Sequence, residues 1–120
     1  MRFAVLALPL VAIAVAGCGG DGYPEKPQAV AKAYVSTNAG SKCRFLTQGL
    51  IETLTHERGA KARSACRHNV ARVAKPARVT LRDAEVDEHD AEVDVLSDGS
   101  EAALKLVRQG GRWKIKGFAE

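Results

Sequence analysis

Residues 91–118 read AEVDVLSDGSEAALKLVRQGGRWKIKGF, and the alternation within this stretch decides the fold. Ala91, Val93 and Val95 share one parity while Glu92 and Asp94 hold the other; Ala102, Leu104 and Leu106 repeat the pattern, and Trp113 and Ile115 close it. Successive side chains of a strand point to opposite faces, so a period of two marks strands buried on one side. Asp98-Gly99 and Gly110-Gly111 interrupt the runs as two-residue hairpin signals, because type I′ turns need positive φ at both central positions. Three strands in an antiparallel meander follow. The first turn sets Ser97 opposite Ser100, Val95 opposite Ala102, Val93 opposite Leu104 and Glu92 opposite Lys105. The second sets Leu106 opposite Ile115, Arg108 opposite Trp113 and Lys105 opposite Lys116. The inner face is then apolar, and Glu92, Lys105 and Lys116 form a charged outer row.

Working outward, a fourth strand is expected over about residues 77–87. Val79 and Leu81 share one parity but Ala84 and Val86 take the other, so a β-bulge near Arg82-Asp83 is predicted. Upstream the period changes to that of helices. Val30, Ala33, Tyr34 and Thr37 recur after Pro24 and Pro27, with Gly40 as the stop. Leu46, Leu50, Ile51 and Leu54 predict a second short helix starting near Thr47. A third runs from about Glu57 to Val73 with Ala62, Cys66, Val70 and Val73 in one stripe, ended by Pro76. Helices followed by a curved four-stranded antiparallel sheet make an α+β layout.

The ending DGSEAALKLVRQGGRWKIKGF, with a strand, a glycine turn and Trp-Lys-Ile, resembles the closing hairpin of small exported proteins in the ketosteroid-isomerase and nuclear-transport-factor-like superfamily, a cystatin-like α+β roll. The resemblance extends over about Pro24 to Phe118. It implies a cone in which helices cover a concave sheet, used as enzyme pocket, ligand site or plain core in different members; fold alone does not choose among these. The candidate lining is Tyr34, Val93, Leu104, Leu106, Trp113 and Ile115. Enzymatic members place acids, tyrosines or histidines inside the cone. Here no carboxylate or imidazole holds an inward strand position, and Tyr34 reads as an amphipathic residue at the core edge. His56 and His89 fall in expected loops, and His68 shares a basic helix with Arg63, Arg67 and Arg72. With no Ser/His/Asp or Cys/His constellation, a general acid or base has no placed candidate. No catalytic residue and no cofactor is expected.

At the other end of the chain, Met1-Arg2 precede an apolar run from Phe3 to Ala16 broken only by Pro9. About 14 residues suit a signal-peptide core and fall short of the roughly 20 that span a bilayer. Val15-Ala16-Gly17-Cys18 resembles the bacterial lipobox, in which the thiol receives a diacylglyceryl group and signal peptidase cuts just before it. That resemblance implies a signal peptide over 1–17, a lipidated Cys18 with a flexible tether over 18–23, and one roll domain over 24–120. The protein is then held at the cell membrane on its extracytoplasmic side, and two acyl chains suffice for stable attachment. The chain has three cysteines. With Cys18 lipidated, Cys43 and Cys66 remain to pair in an oxidising compartment; paired cysteines also occur in many actinobacterial lipoproteins of this kind. Zinc held by Cys43, Cys66, His68 and His89 is the rival reading, but no C-x-x-C or H-x-x-x-H spacing supports it, and no metal is expected.

The net charge of +4 is modest, but its distribution is uneven. Basic residues dominate from Tyr23 to Arg78, while acids lead from Val79 with Asp83, Glu85, Asp87, Glu88, Asp90, Glu92 and Asp94 close together. The few aromatics are not interleaved with basic residues as stacking platforms would be, so nucleic acid is not an expected partner. Attraction of the basic half to anionic lipid headgroups is physically open. The sequence therefore predicts a monomeric, membrane-anchored envelope domain whose roll binds an envelope protein or a small apolar ligand. An isomerase-like or hydrolase-like enzyme and a structural accessory domain of an envelope complex are the alternatives. An inward Asp83 or Glu85 would favour the enzyme. A filled cone favours structure over ligand binding.

Overall fold

A computed structural model describes residues 22–37, 39–70 and 76–119. Cys18 and the expected signal peptide lie outside the described residues, as does Val73. The described chain runs α1 (Pro27–Val35), a 3₁₀ helix (Gly40–Phe45), α2 (Gln48–Thr55), α3 (Gly59–Val70), then β1 (Val79–Val86), β2 (Asp90–Ser97), β3 (Ser100–Gln109) and β4 (Arg112–Ala119). The strands form one antiparallel sheet in the order β1-β2-β3-β4, which is the predicted α+β arrangement.

Local chemistry sets the helix ends. Pro27 opens α1, where its missing N–H costs nothing and its fixed φ suits the first turn. The Thr47 hydroxyl caps α2 by accepting from the Leu50 N–H at 3.1 Å, and His56 ends that helix in the left-handed region at φ 59°. Two helix readings need correction. α1 stops at Ser36 rather than at Gly40, and Gly40 instead opens the 3₁₀ helix. A Cβ on Gly40 would stand 3.2 Å from both Cβ and the carbonyl oxygen of Arg67, so glycine lets the 3₁₀ helix lie against α3. Leu54 is 49% exposed, because α2 is only two turns long and buries just Ile51 against the core.

The first hairpin has the predicted register in every pair, from Ser97 opposite Ser100 to Glu92 opposite Lys105. Asp98 and Gly99 take φ of 48° and 88°, as a type I′ turn requires. The bulge in β1 is present too: Leu81 faces Val95, the register then shifts, and Ala84 faces Val93. In the second hairpin Leu106 faces Ile115 and Arg108 faces Trp113, as expected, but Lys105 does not face Lys116. A second bulge makes Lys116 the extra residue, so that Lys105 lies opposite Gly117 and Leu104 opposite Phe118. Unbroken pairing would set two ammonium groups side by side and turn Phe118 outward. With the bulge, Lys116 reaches Asp90 Oδ1 at 3.2 Å and the Phe118 ring packs near Tyr34, with ring centroids 6.4 Å apart.

α1 and the 3₁₀ helix cover the inner face of the sheet. Val30, Ala31, Phe45, Leu46, Ile51, Ala62, Ala91, Val93, Val95, Leu104, Leu106, Trp113 and Ile115 belong to one buried cluster with Cys43 and Cys66. The outer edge of β4 is also covered. Tyr23 Oη donates to the Trp113 carbonyl, and the Thr47 N–H donates to the Ile115 carbonyl at 2.9 Å.

Candidate functional site

The inward positions of the sheet carry Val79, Leu81, Ala84 and Val86 on β1; Ala91, Val93 and Val95 on β2; Ala102, Leu104 and Leu106 on β3; and Trp113, Ile115 and Phe118 on β4. Five of the six candidate lining residues, Val93, Leu104, Leu106, Trp113 and Ile115, are 4% exposed or less and touch one another in the core. Tyr34, the sixth, is half-buried and packs against that cluster from α1. Burial pushes its phenol above the ordinary tyrosine range. The six are thus brought together as close-packed side chains.

One buried polar residue that the sequence pattern does not mark is Lys42. It lies on the 3₁₀ helix, is 8% exposed, and sets its ammonium 4.3 Å from the centre of the Tyr34 ring. Burial lowers its pKa from the ordinary lysine value. A ring face attracts a cation electrostatically, which offsets part of the lost hydration. Lys42, Tyr34 and Phe118 therefore form one stack at the edge of the core.

Cys43 and Cys66 are joined in a disulfide with Cα atoms 6.2 Å apart. The bond ties the 3₁₀ helix, which precedes α2, to α3. Beside it Gln48 bridges α2 and α3: its amide nitrogen donates to Glu52 Oε2 at 2.9 Å and to the Gly59 carbonyl at 3.1 Å, while Arg63 donates to its oxygen. The Gln48 hydrogen bond, then the Gly59 N–H, hold the Glu52 carboxyl below its usual range, aided by Arg58 and Arg63.

Titratable groups weighed from the sequence lie at the surface. His56, His68 and His89 are exposed, as are Asp83 and Glu85, so the inward acid that would favour an enzyme is not formed by either. Glu85 faces Glu92 across β1 and β2, and with Asp87, Asp90, Lys105 and Lys116 they border an open depression of about 340 Å³. A smaller one of about 210 Å³ lies over the disulfide, bordered by Ser41, Arg44, Arg63 and Arg67. Among the described residues no three His, Cys, Asp or Glu side chains gather as a metal site, and no helix is long and apolar enough to cross a membrane.

No family model matches this sequence, and no curated protein matches it significantly. Among solved structures, a chain described as an NTF2-like transpeptidase from Campylobacter jejuni aligns with a TM-score of 0.49 and 9% identity, over 75% of this chain and 93% of that one.

Proposed function

We propose that this chain is a lipid-anchored, non-catalytic envelope domain that works through its outer surface, by engaging another envelope component. The observation that carries the reading is the inner face. Positions that would hold a general acid, a base or a ligand carry Val93, Leu104, Leu106, Trp113 and Ile115, packed together at 4% exposure or less. The close-packed centre of that face leaves no room for a substrate, its two ends being open to solvent at Val86 and Phe118, and chemistry needs a titratable group within reach of the reacting atom. The anchoring half rests on Val15-Ala16-Gly17-Cys18 after a 14-residue apolar run, and the oxidising address agrees with the Cys43–Cys66 bond.

Metabolic labelling with an alkyne fatty acid, followed by native mass spectrometry of the purified protein, tests both halves. The parent chain incorporates label, and Cys18→Ser incorporates none and accumulates as precursor, since serine cannot form the thioether. The labelled protein carries its acyl chains and no other small molecule. Label on the Cys18→Ser variant overturns the anchor; a stoichiometric extra ligand overturns the filled interior.

A further inference from the structure

Tyr23 stands five residues after Cys18, and it is the point at which the described chain joins the fold: its hydroxyl donates to the Trp113 carbonyl and its ring packs on Phe45 at 5.3 Å. Five residues reach at most about 18 Å when fully extended. Whatever surface surrounds Tyr23 is therefore held within about two Debye lengths of the bilayer to which Cys18 is attached.

That surface is built of arginines. The Arg112 guanidinium lies 4.7 Å from the Tyr23 ring centre, and Arg44 lies 5.6 Å from the same ring and 5.0 Å from that of Phe45. Arg44 also borders the depression over the disulfide with Arg63 and Arg67, so a strip of four exposed arginines, joined through the half-buried Tyr23, continues from Arg112 and Arg44 to Arg67 and Arg63. The guanidiniums of Arg44 and Arg112 are steadied by aromatic faces rather than left to wander. Glu52 stands beside Arg63 and Glu25 follows Tyr23 by two residues, but the larger acidic cluster lies elsewhere. Asp83, Glu85, Glu92 and Asp94 border a depression on β1 and β2, at the opposite edge of the sheet from β4. Attraction of the arginine strip to a negative surface therefore turns the acids away from it.

We propose that the strip Arg112–Tyr23–Arg44–Arg67–Arg63 docks on the anionic phospholipid headgroups of the membrane to which the chain is anchored, and so fixes the orientation of the domain. This rests on the anchored reading of Cys18. Arginine forks match phosphate oxygens in pairs, Tyr23 is an amphipathic ring of the kind that favours the headgroup level, and each cation near an anionic surface contributes about fivefold to the docked population.

The chain has one tryptophan, Trp113, which lies beneath Tyr23 and beside Arg108. Energy transfer from Trp113 to a dansyl headgroup lipid reads how closely this end approaches the bilayer. The acylated protein is reconstituted in phosphatidylcholine vesicles and in equimolar phosphatidylcholine and phosphatidylglycerol, with acylation checked by mass spectrometry. Transfer is expected to rise on the anionic vesicles and to fall as salt goes from 0.1 to 1 M, which shortens the screening length from about 10 to about 3 Å. Arg63→Gln with Arg67→Gln lowers the ratio of docked to undocked domain by about 25-fold without touching Tyr23. Equal transfer on neutral and anionic vesicles, or unchanged transfer in the Arg63 and Arg67 double variant, overturns the docking and leaves the anchor standing. A protein without acyl chains overturns the anchor and the docking together.

Discussion

Asp98 does more than supply a turn. Its two carboxylate oxygens accept from the Ala77 and Arg78 N–H groups at 3.0 and 2.8 Å, and its own N–H donates to the Arg78 carbonyl, so the start of β1 is clipped to the tip of the next hairpin. Asp98→Ala loses both acceptors and places a Cβ-bearing residue without a polar side chain at φ 48°; a cost of about 1–2 kcal/mol is expected in urea unfolding. Asp98→Gly loses only the hydrogen bonds and should cost less than the alanine variant. Equal costs would mean that backbone strain plays no part. Lys42 gives the opposite kind of prediction. Its pKa is lowered in the fold, so the folded state disfavours the charged form, and that penalty is relieved as pH rises through the folded pKa toward the ordinary lysine value. Lys42→Met keeps the volume and removes the charge. Its melting temperature should equal or exceed that of the parent at pH 7, with the difference shrinking as pH approaches 10. A difference that grows with pH contradicts the assignment. Asp98-Gly99 was legible from the sequence because turn chemistry is local. Lys42 over Tyr34 was not, because such a pair has no period and joins two elements that only the fold brings together.

At the scale of elements, the two bulges separate what the pattern revealed from what it hid. In β1 the parity break between Leu81 and Ala84 involves side chains, so the bulge could be read. In β4 Ile115 and Phe118 show the same break, but Gly117 between them has no side chain and Phe118 stands near the strand end. The signal was there and weak. The bulge predicts that Phe118, 44% exposed and packed near Tyr34, costs about 1.5–2.5 kcal/mol when changed to Ala, half the value of a fully buried ring. Lys116→Ala should cost under about 0.5 kcal/mol, since its pair with Asp90 is exposed. Chemical denaturation of both variants checks this, and a neutral Phe118→Ala would contradict the register. The Cys43–Cys66 disulfide joins two elements, the 3₁₀ helix and α3. Closing a loop across a separation of 23 residues, it should stabilise by about 3 kcal/mol, so the Cys43→Ala, Cys66→Ala double variant unfolds at a correspondingly lower urea midpoint. A midpoint unchanged from the parent would mean that the bond does not form in the native protein.

For the whole molecule, the order of the three helices and four strands and the inward residues as far as Ile115 followed from the sequence, because alternation states which side chains share a face; the 3₁₀ helix and the inward Phe118 did not. Whether that face encloses space did not, because alternation carries no information about volume: Leu104 and Trp113 read the same at the wall of a cavity and in a packed core. The outer face is charged, with Glu85 opposite Glu92 and Glu92 opposite Lys105, and the free edge of β4 is covered by Tyr23 and Thr47. Obligate interfaces resemble an apolar core cut in half, so light scattering of the domain from Gly19 onward at micromolar concentration should give a monomer, and a stable dimer would show that one of these faces is an interface. The packing at the centre of the inner face is tested directly by xenon in NMR, since xenon enters dry apolar cavities. The native protein should show no saturable shift at Val93, Leu104, Leu106, Trp113 or Ile115 under xenon, whereas Leu104→Ala, with a cavity made at that position, should show one. A saturable shift at these residues in the native protein would contradict the packed core.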